Sequence, residues 1–266
     1  MNEIIDAIIL GVIQGVTEFL PVSSSGHLEL GKVLVGFEGV GEESLMMTII
    51  LHAATAISTL IVFWKDVKEI LVGIFNAKLN EQKHFALKVI LSMIPAGLIG
   101  VFLLDKVEFL FNENILLVGI ALIITGLFLF VADRAKETSR EVSYLNALLI
   151  GIAQAIAIIP GISRSGATIS TSVLLGIDKQ NSARFSFLMV VPLILGKMAK
   201  DLLDGGFSLG EGSSSMPYIV GFIAALITGV FACKWMINIV KNSQLKYFAY
   251  YCFAVGTIAI IFTLGQ

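Results

Sequence analysis

Long apolar runs alternate with short polar stretches along this chain, and six of the runs are long enough to cross a membrane. A spanning helix needs about 20 consecutive apolar residues, because each residue adds about 1.5 Å and the hydrocarbon layer is about 30 Å thick. The pattern therefore predicts six transmembrane helices, over residues 44–64, 83–104, 114–133, 181–203, 216–238 and 246–264.

Two further apolar stretches, 4–36 and 144–177, are interrupted midway by proline, glycine and serine. Each is predicted to form two half-helices that meet at a break, because proline and glycine end helices. Non-helical backbone at membrane depth requires protein or a water-filled cavity to satisfy its polar groups. We therefore expect two re-entrant hairpins, each of which enters and leaves on the same side of the membrane.

The composition supports an all-α polytopic membrane protein. The 266 residues are 56% hydrophobic and 14% charged, whereas soluble domains carry about 25% charged residues. The net charge of −2 gives no indication of a nucleic-acid partner, and Cys233 and Cys252 have no metal-ligand spacing. The first apolar run lacks a basic segment and a cleavage motif, so we expect the chain to retain it.

Lysine and arginine cluster in three connecting stretches, and this clustering predicts an orientation. Stretches 65–88, 134–140 and 234–246 are basic, whereas 105–114 and 204–215 are acidic or neutral. Because basic loops tend to stay in the cytoplasm, six spans place both termini outside. The first hairpin then enters the membrane from the outside, and the second enters it from the cytoplasm.

The two interrupted stretches also resemble each other. Shifted by 140 residues, LGVIQGVTEFLPVSSSGH (10–27) aligns with IGIAQAIAIIPGISRSGA (150–167). Together with the opposite entry of the hairpins, this repeat predicts one membrane domain, 1–266, made of inverted halves, 1–133 and 134–266, an arrangement common among transporters. Among the identities, Gln14 pairs with Gln154, Ser23 with Ser163, Ser25 with Ser165 and Gly26 with Gly166.

The first break gathers side chains that a membrane helix ordinarily avoids. Gln14 and Glu18 lie four residues apart, on one face of a helix, and Pro21 ends that helix. The serines at 23–25 can cap a second helix that continues through His27. Because helix N-termini attract anions, the pattern predicts a carboxylate, an imidazole and hydroxyls beside an anion-binding helix end.

The second break, PGISRSGATIS (160–170), places an arginine at membrane depth. Such an arginine costs about 2.5–3.5 kcal/mol at the centre of a span, and its planar fork suits bidentate contact with phosphate or carboxylate. Hydroxyls surround Arg164 in sequence, and a polyanion that reaches membrane depth must be a lipid phosphate. The residues thus favour binding, and hydrolysis, of a lipid phosphate or diphosphate; a structural pair of Arg164 with Glu18 is the alternative.

Both breaks resemble the signature stretches of the undecaprenyl-diphosphate phosphatase family, which is linked to bacitracin resistance. EFLPVSSSGH at 18–27 and PGISRSGAT at 160–168 carry this likeness. The resemblance implies a multi-pass enzyme of the bacterial plasma membrane that hydrolyses undecaprenyl diphosphate to undecaprenyl phosphate and inorganic phosphate. It further implies recycling of the lipid carrier for peptidoglycan and other cell-wall polymers, an active site facing the extracytoplasmic side, and dependence on a divalent cation, Mg2+ or Ca2+.

The resemblance also implies roles for individual residues. The family's acidic pair falls on Gln14 and Glu18, which are expected to hold the cation, although glutamine at 14 weakens any scheme with two carboxylates on the metal. Catalytic roles are expected for Glu18, Ser24, His27 and Arg164. The residues expected to bind substrate are Ser23, Ser163, Arg164, Ser165 and Thr168.

Several alternatives stay open at the level of the sequence. Ser24 activated by a neighbour, His27 attacking directly and an activated water all fit as nucleophile, with Ser24 slightly preferred. A transporter or flippase for the lipid carrier, alone or combined with the phosphatase, would explain the inverted repeat. An intramembrane serine protease leaves Arg164 without a role, and a purely structural bundle leaves the matched breaks unexplained. The sequence allows an oligomer and does not fix the lipid chain length.

Overall fold

A computed structural model describes residues 3–35, 42–76, 78, 80–103, 115–136, 138–203 and 215–264. Within these ranges all regular structure is helical. The helices are, in order, α1 (Glu3–Thr17), α2 (Ser24–Val35), α3 (Glu42–Val62), α4 (Trp64–Ile74), α5 (Glu81–Phe102), α6 (Ile115–Asp133), α7 (Tyr144–Ile156), α8 (Arg164–Leu174), α9 (Lys179–Leu203), α10 (Met216–Lys241) and α11 (Lys246–Leu264).

Six of these helices are long and apolar enough to cross a membrane, and they confirm the six predicted spans. They are α3, α5, α6, α9, α10 and α11. The agreement is close: the predicted span 114–133 forms Ile115–Asp133, and the predicted span 246–264 forms Lys246–Leu264. By length and composition the chain is therefore an all-α multi-pass membrane protein. Its orientation stays a prediction, and residues 105–114 and 204–214 lie outside the described ranges.

Both interrupted stretches form two helices separated by a break, as their proline and glycine residues predict. α1 and α2 flank the first break, α7 and α8 flank the second, and the helices of each pair pack against each other. Gly161 adopts φ +92° in the second break, a conformation that favours glycine. A Cβ at this position would also lie 2.6 Å from the Val118 carbonyl oxygen. Re-entry of each pair on its own side of the membrane stays a prediction.

α4 is a helix that the hydropathy pattern did not predict. It has 11 residues, too few to cross a bilayer, and covers part of the basic stretch after the first span. Asp66 of α4 pairs with Arg184 of α9, with 2.5 Å between the Arg184 Nε and the Asp66 Oδ1. The Arg184 guanidinium lies over the Phe85 ring, 4.8 Å from its centroid, so α4 is tied to the start of α9.

The chain packs into two compact units whose segments alternate along the sequence. The predicted repeat halves, 1–133 and 134–266, do not coincide with these units, and the division of one domain into repeat halves stays a prediction. The first unit consists of Met1–Phe19, Ser24–Val62 and Val190–Trp235. The second unit consists of Leu20–Ser23, Phe63–Met189 and Met236–Gln266.

Close helix contacts in the first unit fix the C-terminal end of α1. A Cβ on Gly11 would lie 2.9 Å from the Ala224 Cβ, and a Cβ on Gly15 would collide with the Thr228 hydroxyl. Glycines of this kind let helices in a membrane approach closely. An apolar cluster lies beside the contact and holds α1 in place; it consists of Ala7, Leu10, Leu28, Met47, Leu51, Ala54 and Ala225.

Similar contacts in the second unit hold the helices around the second break. A Cβ on Gly151 of α7 would lie 2.8 Å from the Ser92 Cα of α5. A Cβ on Gly256 of α11 would lie 2.8 Å from the Gly119 carbonyl oxygen of α6. The core of this unit joins α5, α7 and α9 through Val89, Val142, Ala147, Ile150, Ile177, Phe185 and Met189.

Candidate active site

Glu18 follows the last residue of α1 and gathers polar side chains of the first unit. The residue is 8% exposed. Gln14 Nε2 donates to Glu18 Oε2 at 3.0 Å, and Ser24 Oγ, at the first residue of α2, donates to the same oxygen at 2.9 Å. The break therefore brings a hydroxyl from the second helix onto a carboxylate at the end of the first. A carboxylate placed in this way can accept the hydroxyl proton.

His52 of α3 belongs to the same group, although the sequence did not place it in the site. Its Nε2 lies 3.8 Å from Glu18 Oε2, and its Nδ1 lies 2.8 Å from the Thr48 carbonyl oxygen. Because a carbonyl only accepts hydrogen bonds, Nδ1 carries a proton and Nε2 faces the carboxylate. A histidine inside an apolar span is costly, and this cost was the signal that could have identified His52.

His27 and Ser23 lie on either side of the start of α2. His27 is half-buried in the first turn of the helix. Ser23 is buried and adopts φ +71°, in the left-handed region that serine seldom occupies. Backbone conformations of this kind persist where the surrounding structure enforces them, often at functional sites. The roles expected for both residues stay predictions.

Residues 20–23 of the first break belong to the second unit, where they pack against the start of α8. Ser165 Oγ donates to the Leu20 carbonyl oxygen at 3.2 Å. A Cβ on Gly166 would lie 3.2 Å from the Pro21 Cβ, and Cys252 Sγ donates to the Pro21 carbonyl oxygen at 3.6 Å. Within the second unit, Leu20 and Pro21 are therefore held against the start of α8 and against α11.

The second break leads into a capped helix start. Ser163 is the N-cap of α8: its Oγ accepts a hydrogen bond from the Gly166 N–H at 3.2 Å. The Ser163 N–H donates to Thr125 Oγ1 of α6 at 3.1 Å, and the Ser163 and Ser165 hydroxyl oxygens lie 3.2 Å apart. Ser163 therefore opens α8. These contacts also fix two hydroxyls and the backbone N–H groups of the first turn as a rigid unit.

Arg164 occupies the first helical position of α8, and Thr168 lies one turn later. Thr168 Oγ1 donates to the Arg164 carbonyl oxygen at 2.9 Å, and Arg164 is half-buried. A guanidinium at a helix N-terminus adds its charge to the positive end of the helix dipole. Such a helix start is suited to an oxyanion. Combined action of Arg164 with Glu18 stays a prediction.

The oxygen atoms around Glu18 suit a hard divalent cation. Gln14 Oε1 is buried and has no hydrogen-bond partner among the described residues. Together with the Glu18 carboxylate it offers the oxygen ligands that Mg2+ and Ca2+ prefer. The described part of the chain contains no cluster of three or more His, Cys, Asp or Glu side chains that could hold a metal. Few protein ligands are typical of a cation that also binds substrate phosphates.

A cavity of about 540 Å³ lies in the second unit. Its lining includes Glu81, His84, Lys88, Tyr144 and Arg184, and none of the predicted site residues. His84 Nδ1 lies 2.6 Å from the Tyr144 hydroxyl oxygen. Because the lining carries residues from the basic stretch 65–88 and from the region next to 134–140, the cavity belongs to the end of the unit that bears the basic loops.

Comparison with known proteins adds the family. Residues 7–258 match the family described as bacitracin resistance protein BacA. The chain is 58% identical to the undecaprenyl-diphosphatase of Christiangramia forsetii over 264 residues, 99% of this chain and 100% of that protein. It is 48% identical to the protein of the same name from Bacteroides fragilis, over 97% of this chain and 98% of that one. The likeness carried by the two breaks is confirmed, and the chain belongs to the BacA family of bacitracin resistance proteins.

Proposed function

We propose that this protein hydrolyses undecaprenyl diphosphate to undecaprenyl phosphate and inorganic phosphate, and thereby recycles the lipid carrier for cell-wall synthesis. One observation carries the proposal: Ser24 Oγ donates to the buried Glu18 carboxylate at 2.9 Å, which joins a nucleophile to a base. Relatives named undecaprenyl-diphosphatase, up to 58% identical over the whole chain, support the substrate. The name of the family supports a link to bacitracin resistance.

Ser24 is the proposed nucleophile. Glu18 takes the hydroxyl proton while Ser24 Oγ forms a bond to the terminal phosphorus of the diphosphate. The bond from this phosphorus to the bridging oxygen breaks, and undecaprenyl phosphate leaves with that oxygen. Water then attacks the phosphorus of the phosphoserine and passes a proton to His27. The bond from this phosphorus to Ser24 Oγ breaks, and Glu18 returns its proton to that oxygen. Inorganic phosphate is released, and one proton enters the solvent.

Arg164 and the hydroxyls of the second break are proposed to bind the diphosphate. The guanidinium, Ser163, Ser165 and Thr168 would offset the charge that develops on its oxygens. Glu18 and Gln14 would hold a divalent cation, which supplies further charge neutralisation when bound.

The proposed location is the bacterial plasma membrane, with the site open to the extracytoplasmic side. The basic stretches 65–88, 134–140 and 234–246 support this orientation. Basic loops tend to stay in the cytoplasm, and this places both termini and the entry of the first hairpin outside. A lipid carrier released after polymer assembly on the outer face would then reach the site directly. Ser139→Cys and Asn242→Cys each introduce a cysteine in a basic stretch. A thiol reagent that cannot cross the membrane should fail to label these cysteines in intact cells.

Phosphate release by the purified protein in detergent tests the proposal. The substrates are C55 and C15 prenyl diphosphates, each with Mg2+, with Ca2+ and with EDTA. Phosphate release that depends on the cation is expected. Such release would report hydrolysis and not transport, because detergent removes the two sides of the membrane. A folded protein that releases no phosphate in any of these conditions refutes hydrolysis. Transport of the lipid carrier, which the predicted inverted repeat favours, then becomes the leading function.

A further inference from the structure

Gln154 of α7 is a buried residue whose side-chain amide has no hydrogen-bond partner in the described part of the chain. It is 1% exposed, and neither its Nε2 nor its Oε1 reaches another described group. An amide buried without hydrogen bonds is costly, and lipid cannot supply the missing partner. A buried polar group without a partner requires an explanation, such as a bound water, an ion or a ligand.

The first break shows what an amide at this position binds. Gln14 aligns with Gln154 in the 140-residue repeat, and both residues lie in the last turn of the first helix of their pair. Gln14 Nε2 donates to a carboxylate oxygen of Glu18. The residue that aligns with Glu18 in the second break is Ile158, which has no oxyanion.

The surroundings of the two glutamines also correspond. Gly11 and Gly151 stand three residues before them, and each forms a close contact with another helix: Gly11 with Ala224, and Gly151 with Ser92. The backbone that carries each amide is therefore held in a comparable way. The difference between the two amides is the carboxylate that only the first one meets.

Gln154 also belongs to the same unit as the oxyanion-binding groups of the second break. α7 ends two residues later, at Ile156, and residues 157–162 connect it to the N-cap residue Ser163. α7 and α8 pack against each other. An oxyanion held at the start of α8 would thus lie at the end of the helix pair where Gln154 is buried.

We propose that Gln154 is a substrate-binding residue, whose amide donates a hydrogen bond to a phosphate oxygen as Gln14 does to Glu18. The inference rests on the proposed function, since the oxyanion is that of the substrate or the product. Lipid diphosphate and inorganic phosphate offer the same oxygens, and the test below separates them. Gln154 adds a neutral donor to a group whose other members are Arg164 and the hydroxyls of α8.

Gln154→Met is the variant that tests this role, because methionine has nearly the same length and no amide. The value of kcat/KM for C15 prenyl diphosphate is expected to fall about 10- to 100-fold, mainly through KM, as for the loss of a hydrogen bond to a charged group. Thermal stability should stay equal or rise, since an unpartnered amide is removed. The matched control is Gln180→Met on the exposed side of α9, which should leave both quantities unchanged.

Inhibition by inorganic phosphate identifies the oxyanion that Gln154 meets. A KI that rises together with KM assigns Gln154 to the phosphate that is released. A KI that stays constant while KM rises assigns it to the phosphate that remains on the lipid. A folded Gln154→Met protein with the kcat/KM of the Gln180→Met control overturns the inference.

Gln154→Glu provides a second, independent measurement. A carboxylate at this position would repel phosphate, so its loss of kcat/KM should exceed that of Gln154→Met, whereas full activity would contradict the inference. If the Met variant does not fold, the Glu variant and Gln154→Asn, which keeps an amide on a shorter chain, carry the same test. Failure of the wild-type protein to release phosphate would refute the proposed function itself, a result that these variants cannot produce.

Discussion

The two breaks share a framework and differ in charge. In each, a helix with a buried glutamine in its last turn ends, and a serine-rich sequence starts the next helix. The first break carries Glu18, with hydrogen bonds from Gln14 and Ser24. The second carries Arg164 beside Ser163, whose hydroxyl caps the next helix, and no acidic residue occurs in 157–170.

In the proposed hydrolysis, which needs both a base and an anion site, this difference would assign the base to the first break and the anion site to the second. A carboxylate next to an anion site weakens the binding of phosphate, because the like charges repel. An arginine next to a base lowers the tendency of that base to take a proton. Placing the two groups on separate breaks lets each environment be set independently. Ser165 donates to the Leu20 carbonyl oxygen, so residues 20–23 pack with the second break inside one unit.

Removal of the positive charge from the second break should have the largest effect. Arg164→Ala is expected to lower the rate of phosphate release by more than about 1000-fold, the range seen for arginines that stabilise phosphoryl transfer. Arg164→Lys should recover only part of the rate, because lysine retains the charge without the bidentate fork. Full activity of the lysine variant would show that the fork is not needed, and full activity of the alanine variant would remove Arg164 from the reaction.

The hydroxyl of the first break should come next in size. Ser24→Ala is expected to lower kcat by about 100- to 10,000-fold, because the proposed nucleophile and its hydrogen bond to Glu18 are both lost. The adjacent Ser25 is exposed and serves as the control, since Ser25→Ala should retain wild-type kcat. A Ser24→Ala protein that keeps its kcat would transfer the role of nucleophile to His27 or to an activated water.

A second carboxylate in the first break should change the cation requirement. EDTA is expected to abolish phosphate release, and added Mg2+ or Ca2+ should restore it. Gln14→Glu should lower the cation concentration that gives half-maximal activity by about tenfold, because carboxylates bind hard cations better than amide oxygens. Gln180→Glu, at an exposed position, is the control. An unchanged requirement in Gln14→Glu would place the cation away from Gln14.

The features of the fold that were predictable from the sequence are local ones. Hydropathy and length located the six spans, and Pro160 with Gly161 located the second break. α4 was missed because its 11 residues are fewer than a span requires. The division into two units was not predictable, because it depends on contacts between residues far apart in sequence, such as Gly15 with Thr228.

The same distinction applies to the candidate site. The spacing of four residues was enough to predict that Gln14 and Glu18 share a helix face, and they are joined by a hydrogen bond. His52 lies 3.8 Å from Glu18 but on another helix, so no short motif connects them. The hydrogen bond between Ser165 and Leu20 spans 145 residues, and only the packed chain reveals it.

The smallest expected effect concerns stability, and it tests whether both glutamine-bearing helices are held by close contacts. Gly11→Ala and Gly151→Ala should each lower the free energy of unfolding by about 1–3 kcal/mol, the usual cost of overpacking. The added methyl group would lie 2.9 Å from the Ala224 Cβ in the first case and 2.8 Å from the Ser92 Cα in the second. Thermal unfolding in detergent measures the change.

Gly97→Ala on α5 is the matched control for these two variants. A Cβ at Gly97 meets no atom within 4 Å, so alanine should be neutral or stabilise the helix by up to about 1 kcal/mol through its higher helix propensity. If all three variants unfold at the same temperature, the contacts of Gly11 and Gly151 do not hold the helices. If only one of the two is destabilised, the breaks differ in support as well as in charge, because just one amide then depends on a close helix contact.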